Sequence, residues 1–272
     1  MIAGIGVAAL IAVAAIAVVV VRKVVLADHA RAVPVEAAVK HFRSEVAPAA
    51  PTTTGAPTPL SLMPFGIYRY RTTGQESIDA LGGTTHHYPA ETTISVIPDG
   101  CGVLLRWDAL KERRDEWRLC VDAAGIELQP RGLQYHQFYG QVDSEDLVCQ
   151  PAVPVVGRSD AAPAATGRIA TDHVATDQSC TLGGDPWHPQ WSILGNEQRT
   201  VEGVMIPVVH ARMTVNDNST YDEHTTLDWY LDQHGLPVEV SSTKESKSPS
   251  PVGAVTYRET YTLQLESTTA LR

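Results

Sequence analysis

Residues 254–266 read Ala-Val-Thr-Tyr-Arg-Glu-Thr-Tyr-Thr-Leu-Gln-Leu-Glu, and this run decides the fold. Val255, Tyr257, Tyr261, Leu263 and Leu265 share one parity, and Thr256, Arg258, Thr260, Thr262 and Gln264 share the other. Period two places one set on a core face and the other in water, which is the pattern of an antiparallel strand. Residues 221–232 repeat it, with Tyr221, Thr225, Leu227, Trp229 and Leu231 opposing Asp222, His224, Thr226, Asp228 and Asp232. Asn216-Asp217-Asn218-Ser219 and His234-Gly235 supply turn chemistry on either side. A four-strand meander follows: Val204 to Val215, Tyr221 to Asp232, Pro237 to Ser246 and Ala254 to Glu266.

Working back toward the N-terminus, further strand candidates are Ile67 to Thr72, Thr92 to Ile97, Gly102 to Trp107, Glu116 to Val121, Ile126 to Leu128 and Leu133 to Tyr139. Ala109 to Arg114 reads as a short helix or a turn between two strands. Gln150 to Thr200 is the least regular region. Trp117-Arg118-Leu119 before Gly125 echoes Trp229-Tyr230-Leu231 before Gly235, as a duplicated half or a generic hairpin would. The folded part, about 200 residues from 61 to 272, is long enough to bury about 70% of its unfolded surface. The expected class is mainly β: an antiparallel curved sheet or half-barrel, built as one unit or from two similar halves.

Ahead of this domain, Ile2 to Val21 runs without a charge and is almost wholly Ala, Val, Ile and Leu. Twenty helical residues span about 30 Å, the thickness of a bilayer's hydrocarbon core. Residues 1–23 therefore read as a single-pass transmembrane anchor. A cleaved secretory signal fits less well, because no basic residue precedes the run and Arg22-Lys23 closes it. Val33 to Glu45, within residues 24–46, reads as a juxtamembrane helix with no task beyond spacing. Residues 47–60 read as a Pro/Thr-rich linker that cannot bury enough to order itself.

Arg22 and Lys23, taken alone, would leave the domain in the cytoplasm. Cys101, Cys120, Cys149 and Cys180 argue the other way: they are even in number, all lie in the domain, and none has a zinc spacing. The Thr/Pro stalk argues likewise. An extracytoplasmic domain on the cell membrane is expected. Four cysteines allow three pairings, and locality favours Cys101 with Cys120 and Cys149 with Cys180.

Chemistry-bearing motifs are missing. The sequence has no nucleophile elbow, Walker loop or HExxH, and His86 and His87, being adjacent, point to opposite faces of a strand. No catalytic residue, cofactor or metal is expected. The net charge of −10 argues against nucleic acid. Glu259 and Glu223 interrupt core faces, which fits either a polar-lined cavity or strand ends emerging into solvent; the second is the expectation.

Gly66-Ile67-Tyr68-Arg69-Tyr70-Arg71-Thr72-Thr73-Gly74, Asp79 to Gly83, Cys101-Gly102-Val103, Leu105-Arg106-Trp107 and Asp115-Glu116-Trp117 resemble a family of uncharacterised actinobacterial membrane-anchored proteins. The resemblance covers the anchor, the Val33 helix, the stalk and most of the first half. It implies an external domain and brings no activity. Looser likeness, carried by the meander with its W-x-L and Gly-Leu-Pro turns, is to the lipoprotein-carrier half-barrels, whose concave face holds lipid chains. That likeness implies a lining from Val209, Leu227, Trp229, Tyr257 and Leu263. The expected function is a membrane-tethered binding domain for lipid or another hydrophobic ligand. The alternative is a structural or protein-interaction domain of the envelope with no cavity, and an enzyme ranks third.

Overall fold

The computed structural model describes residues 30–46, 62–121, 125–157, 175–182, 184–218, 222–250 and 253–272. The anchor expected over residues 1–23 and the linker over 47–60 lie outside these, as does Tyr221. Among the described residues no helix is long and apolar enough to cross a membrane.

The described residues form one helix, α1 (Val35–Glu45), and one open, curved antiparallel sheet. Its strands are β1 (Gly66–Ile78), β2 (Thr84–His87), β3 (Glu91–Asp99), β4 (Gly102–Leu110), β5 (Arg113–Val121), β6 (Gly125–Phe138), β7 (Gln141–Gln150) and β8 (Val153–Gly157). They continue with β9 (Ala175–Asp177), β10 (Ser179–Leu182), β11 (Asp185–Trp187), β12 (Gln190–Val201), β13 (Val204–Asn218), β14 (Asp222–Leu231), β15 (Pro237–Ser250) and β16 (Gly253–Leu265). The spatial order is β11-β10-β7-β6-β5-β4-β3-β1-β16-β15-β14-β13-β12-β9, with β2 beside β1 and β8 beside β6.

The first and last long strands lie side by side at the centre, with Tyr70 opposite Leu265 and Ile78 opposite Tyr257. Each limb leaves this seam as a meander. The expected order of β13, β14, β15 and β16 is the one observed. The limbs curl toward each other: Trp117 on β5 meets Trp229 on β14 edge-on at 5.1 Å, although five strands separate them within the sheet. The two echoed tryptophans thus touch across the interior.

Alternation sets the core. On β16, Tyr261 and Leu263 are buried while Thr260 and Gln264 are not, and the inward set joins Trp107, Leu105, Leu119 and Trp229 in one cluster. Residues 92–96 of β3 are buried without alternation. The outer face there has its own cover, because Ala38 and Phe42 of α1 pack on Ile67, with Ile97 beside them. Glu45 adds an ion pair to Arg106 at 2.8 Å, and Arg43 donates to the Arg272 carbonyl. The helix expected only to space the domain from the membrane is instead part of the domain's outer layer. Its apolar stripe was legible; the surface that would receive it was not.

Other differences have local causes. Ala109 to Arg114 takes the turn alternative, as two strand ends joined through Lys111 and Glu112. Ile126 to Leu128 and Leu133 to Tyr139 fall on a single strand, β6, whose first part pairs with β8 and whose second part pairs with β7. Strand β7 was not anticipated, since its sequence QVDSEDLVCQ is mostly exposed and acidic. The irregular region contributes β8 to β12, of which β8 to β11 are short pieces of three to five residues. Both expected disulfides, Cys101–Cys120 and Cys149–Cys180, are closed, the second between directly paired residues of β7 and β10.

Candidate functional site

A cavity of about 700 Å³ lies between the limbs at the end of the sheet where β6 turns into β7 and β15 into β16. Register fixes its depth. Phe138 pairs with Gln141 beside the β6–β7 turn, His136 with Asp143 further in, and Gln134 with Glu145 deeper still. Ile78, Leu81, Phe138 and Val255 make the outer walls apolar, and Leu81 and Val142 on the lips are 51% and 57% exposed.

Behind His136 and Tyr257 on its wall lies a buried, charged cluster. Glu76, fully buried on β1, receives His86 Nδ1 at 2.9 Å on one oxygen and His136 Nδ1 at 3.1 Å on the other. Tyr257 donates its hydroxyl to the same carboxylate at 3.1 Å and stands edge-on to His136, the ring centroids 5.0 Å apart. Strand pairing explains the convergence, since Glu76 lies opposite both His86 on β2 and Glu259 on β16. Burial works against the Glu76 charge. The hydrogen bonds from His136 and His86 outweigh it, bringing the carboxyl from 4.5 to about 2.

Below this, Arg113 reaches in from β5. Its Nε meets Glu259 at 2.9 Å, and its two terminal nitrogens bind Asp115 at 2.7 and 2.6 Å. Tyr88 donates to Glu259 from the far side. Burial opposes the Arg113 charge, but Asp115 and Glu259 hold its pKa well above the ordinary value. Burial, and next the Glu259 carboxylate, push the Tyr88 and Tyr257 hydroxyls up as well, so both stay protonated donors. Lys244 lies 3.7 Å from Glu223 and 3.3 Å from Gln134, and all three line the cavity. Burial, then repulsion from Asp143, raises the Glu145 pKa.

Glu259 and Glu223 therefore do not emerge into solvent: they are 5% exposed, and both are partnered. The second reading of the sequence, polar contacts beside a cavity, is the one the structure gives. Of the residues expected to line a ligand, Tyr257 is on the cavity wall. Val209, Leu227, Trp229 and Leu263 share its inward parity but sit in the packed core, at 0–6% exposure. Sequence reading missed Glu76, His86, His136, Arg113 and Lys244. A signal for Arg113 was present: with Asp115 it shares the inward parity of β5, as Glu259 does on β16.

The arrangement offers an apolar chamber with polar groups at its inner end. His136, held by Glu76 and beside the cavity, could accept or donate a proton, but no nucleophile stands next to it among the groups described. Among the described residues no group of three or more His, Cys, Asp or Glu is placed to hold a metal ion. Comparison of the chain with protein-family models, with curated proteins and with solved structures gives no match.

Proposed function

We propose that the chain is a membrane-tethered extracytoplasmic domain that binds a lipid or another hydrophobic ligand in the cavity between its limbs. The observation that carries this reading is the chamber itself. Its volume of about 700 Å³ falls within the roughly 300–1,000 Å³ of small-molecule sites, and apolar walls with a few convergent polar groups are their usual composition. The likeness to lipoprotein-carrier half-barrels supports it, with the limbs read as two related halves of a half-barrel. The apolar run over residues 2–21 supports the tether, and the two disulfides support an oxidising compartment. An envelope domain without a cavity is disfavoured by the chamber.

The test is titration with the neutral apolar fluorophore N-phenyl-1-naphthylamine. One saturable site is expected, lost in Ser246→Trp with Val255→Trp, which fill the chamber from adjoining strands. Saturable binding that survives both substitutions would place the ligand elsewhere, and no uptake would refute the reading.

A further inference from the structure

The membrane-side end of the domain can be identified from where the chain enters it. Arg31 is fixed to the β4–β5 turn: its backbone N–H donates to Glu112 Oε2 at 2.8 Å, its Nε to Oε1 at 2.5 Å, and its carbonyl accepts the Lys111 N–H at 2.9 Å. Glu112 is 3% exposed, and the turn holds Arg31 through two main-chain contacts as well as the exposed guanidinium. The same turn is tied to β6, where Gln137 N–H donates to the Glu112 carbonyl at 2.8 Å, one residue before Phe138 at the cavity's outer wall. The chain therefore enters the domain at the cavity end.

From there α1 runs down the outer face toward the opposite end, where Arg43 meets Arg272 and Leu271 bridges Ile67. Met63, at the start of the sheet, is also held at that far end, through its N–H to the His234 carbonyl. The Pro/Thr-rich stretch thus joins two points at the far end of one domain, and it does not separate the domain from the anchor.

Only residues 22–30 lie between the apolar run and Arg31. Nine residues reach about 30 Å when fully extended. β4 and β5, the nine-residue strands that end at the turn holding Arg31, span about 30 Å from the far end. Were the far end against the bilayer, the tether would have to lie fully extended along the domain to reach Arg31, whereas with the cavity end against the bilayer it runs slack. Leu81 and Val142 on the lips of the cavity are large apolar side chains more than half exposed, as Val204 and Met205 are at the far end, so it is the tether that chooses between the ends.

We infer that the cavity mouth faces the bilayer holding residues 2–21, with Leu81 and Val142 at the contact, so that ligand passes between membrane and cavity without crossing open water. This rests on the anchor and the ligand chamber proposed above. It adds a direction to them. The partner surface is a lipid bilayer, met by apolar lips around an acidic interior.

The experiment uses the full chain in phosphatidylcholine vesicles, with its disulfides closed and a single fluorophore attached at Leu81→Cys, Val142→Cys, Val204→Cys or Met205→Cys. The last two sites are exposed on the β12–β13 turn at the far end. Quenching by nitroxide-headgroup lipid is expected to be at least twofold stronger at 81 and 142 than at 204 and 205. Equal or reversed quenching overturns the inference. Flotation with the vesicles separates the failures: a chain that does not float defeats the anchor and this inference together, whereas a floating chain with reversed quenching defeats the inference alone.

Discussion

Arg113 and Glu259 come from opposite limbs of the sheet, 146 residues apart in sequence, and meet at 2.9 Å with both side chains nearly inaccessible to water. Their meeting joins the limbs beneath the cavity. A buried ion pair contributes little over a well-packed apolar pair, but removal of one partner leaves an uncompensated charge that costs much more. Arg113→Met strands Glu259 and Asp115 together. It is expected to destabilise the domain by about 3–5 kcal/mol in urea unfolding. A loss under about 1 kcal/mol would show that the carboxylates find water or other donors.

Glu76, buried behind the cavity wall, gives the stability a pH dependence of defined sign. Its carboxyl falls from 4.5 to about 2 on folding, so the folded state holds fewer protons there than the unfolded state. The resulting stabilisation is fully present above pH 4.5 and is lost as the pH falls toward 2. The shift corresponds to roughly 3 kcal/mol at neutral pH. In urea unfolding, the stability difference between the native chain and Glu76→Gln should fall by more than half between pH 6 and pH 3. A constant difference would contradict the hydrogen-bond account.

Helix α1 is expected to stabilise the sheet it covers. Phe42 is 6% exposed and packs on Ile67, so Phe42→Ala should cost about 3 kcal/mol, the lower end for a buried phenylalanine. Proteolysis gives an independent reading, with the variant cut within residues 35–45 and the parent resistant there. Equal stability and equal cleavage would mean that the helix is not docked in solution.

Charge at the cavity should select among ligands. Asp143, Glu145, Asp185, Asp217 and Glu223 line it against the single ammonium of Lys244. Dodecyltrimethylammonium, below its micellar range, is expected to bind at least tenfold more tightly than dodecyl sulfate, with the gap narrowing in high salt. Calorimetry reads both affinities. Tighter binding of the sulfate would mean that Lys244, and not the carboxylates, governs the site.

Compartment can be read from the thiols. In intact cells expressing the full chain, Cys101, Cys120, Cys149 and Cys180 should resist a membrane-impermeant maleimide until an impermeant reductant is added. Labelling that appears only after the cells are opened would place the domain inside, as Arg22 and Lys23 taken alone imply.

What could be read beforehand was what depends on neighbours in sequence. Alternation in residues 254–266 and 222–231 gave both strands and their inward faces, and turn residues gave the meander order. Locality sufficed for the disulfides. The site depended on something else. Glu76 lies beside Glu259 because β1 and β16 are paired at the centre of the sheet, and Arg113 reaches both by the curl of its limb; period two can report neither relation. Glu259 was conspicuous as a carboxylate on a core face, yet its partner lay on another limb. It was the half-barrel likeness that put Val209, Leu227, Trp229 and Leu263 on a ligand surface. Their parity is inward, but the limbs curl far enough to close over them, and only the end near Tyr257 stays open.

The most direct test of a hydrophobic-ligand domain is extraction of residues 30–272, which retain α1 and Arg31, after secretion with disulfides formed in a host with a related envelope. Mass spectrometry of the extract, compared with that of Ser246→Trp, reads the occupant. The account predicts one apolar molecule per chain, absent from the substituted protein. Clean protein that also takes up no added lipid would contradict it.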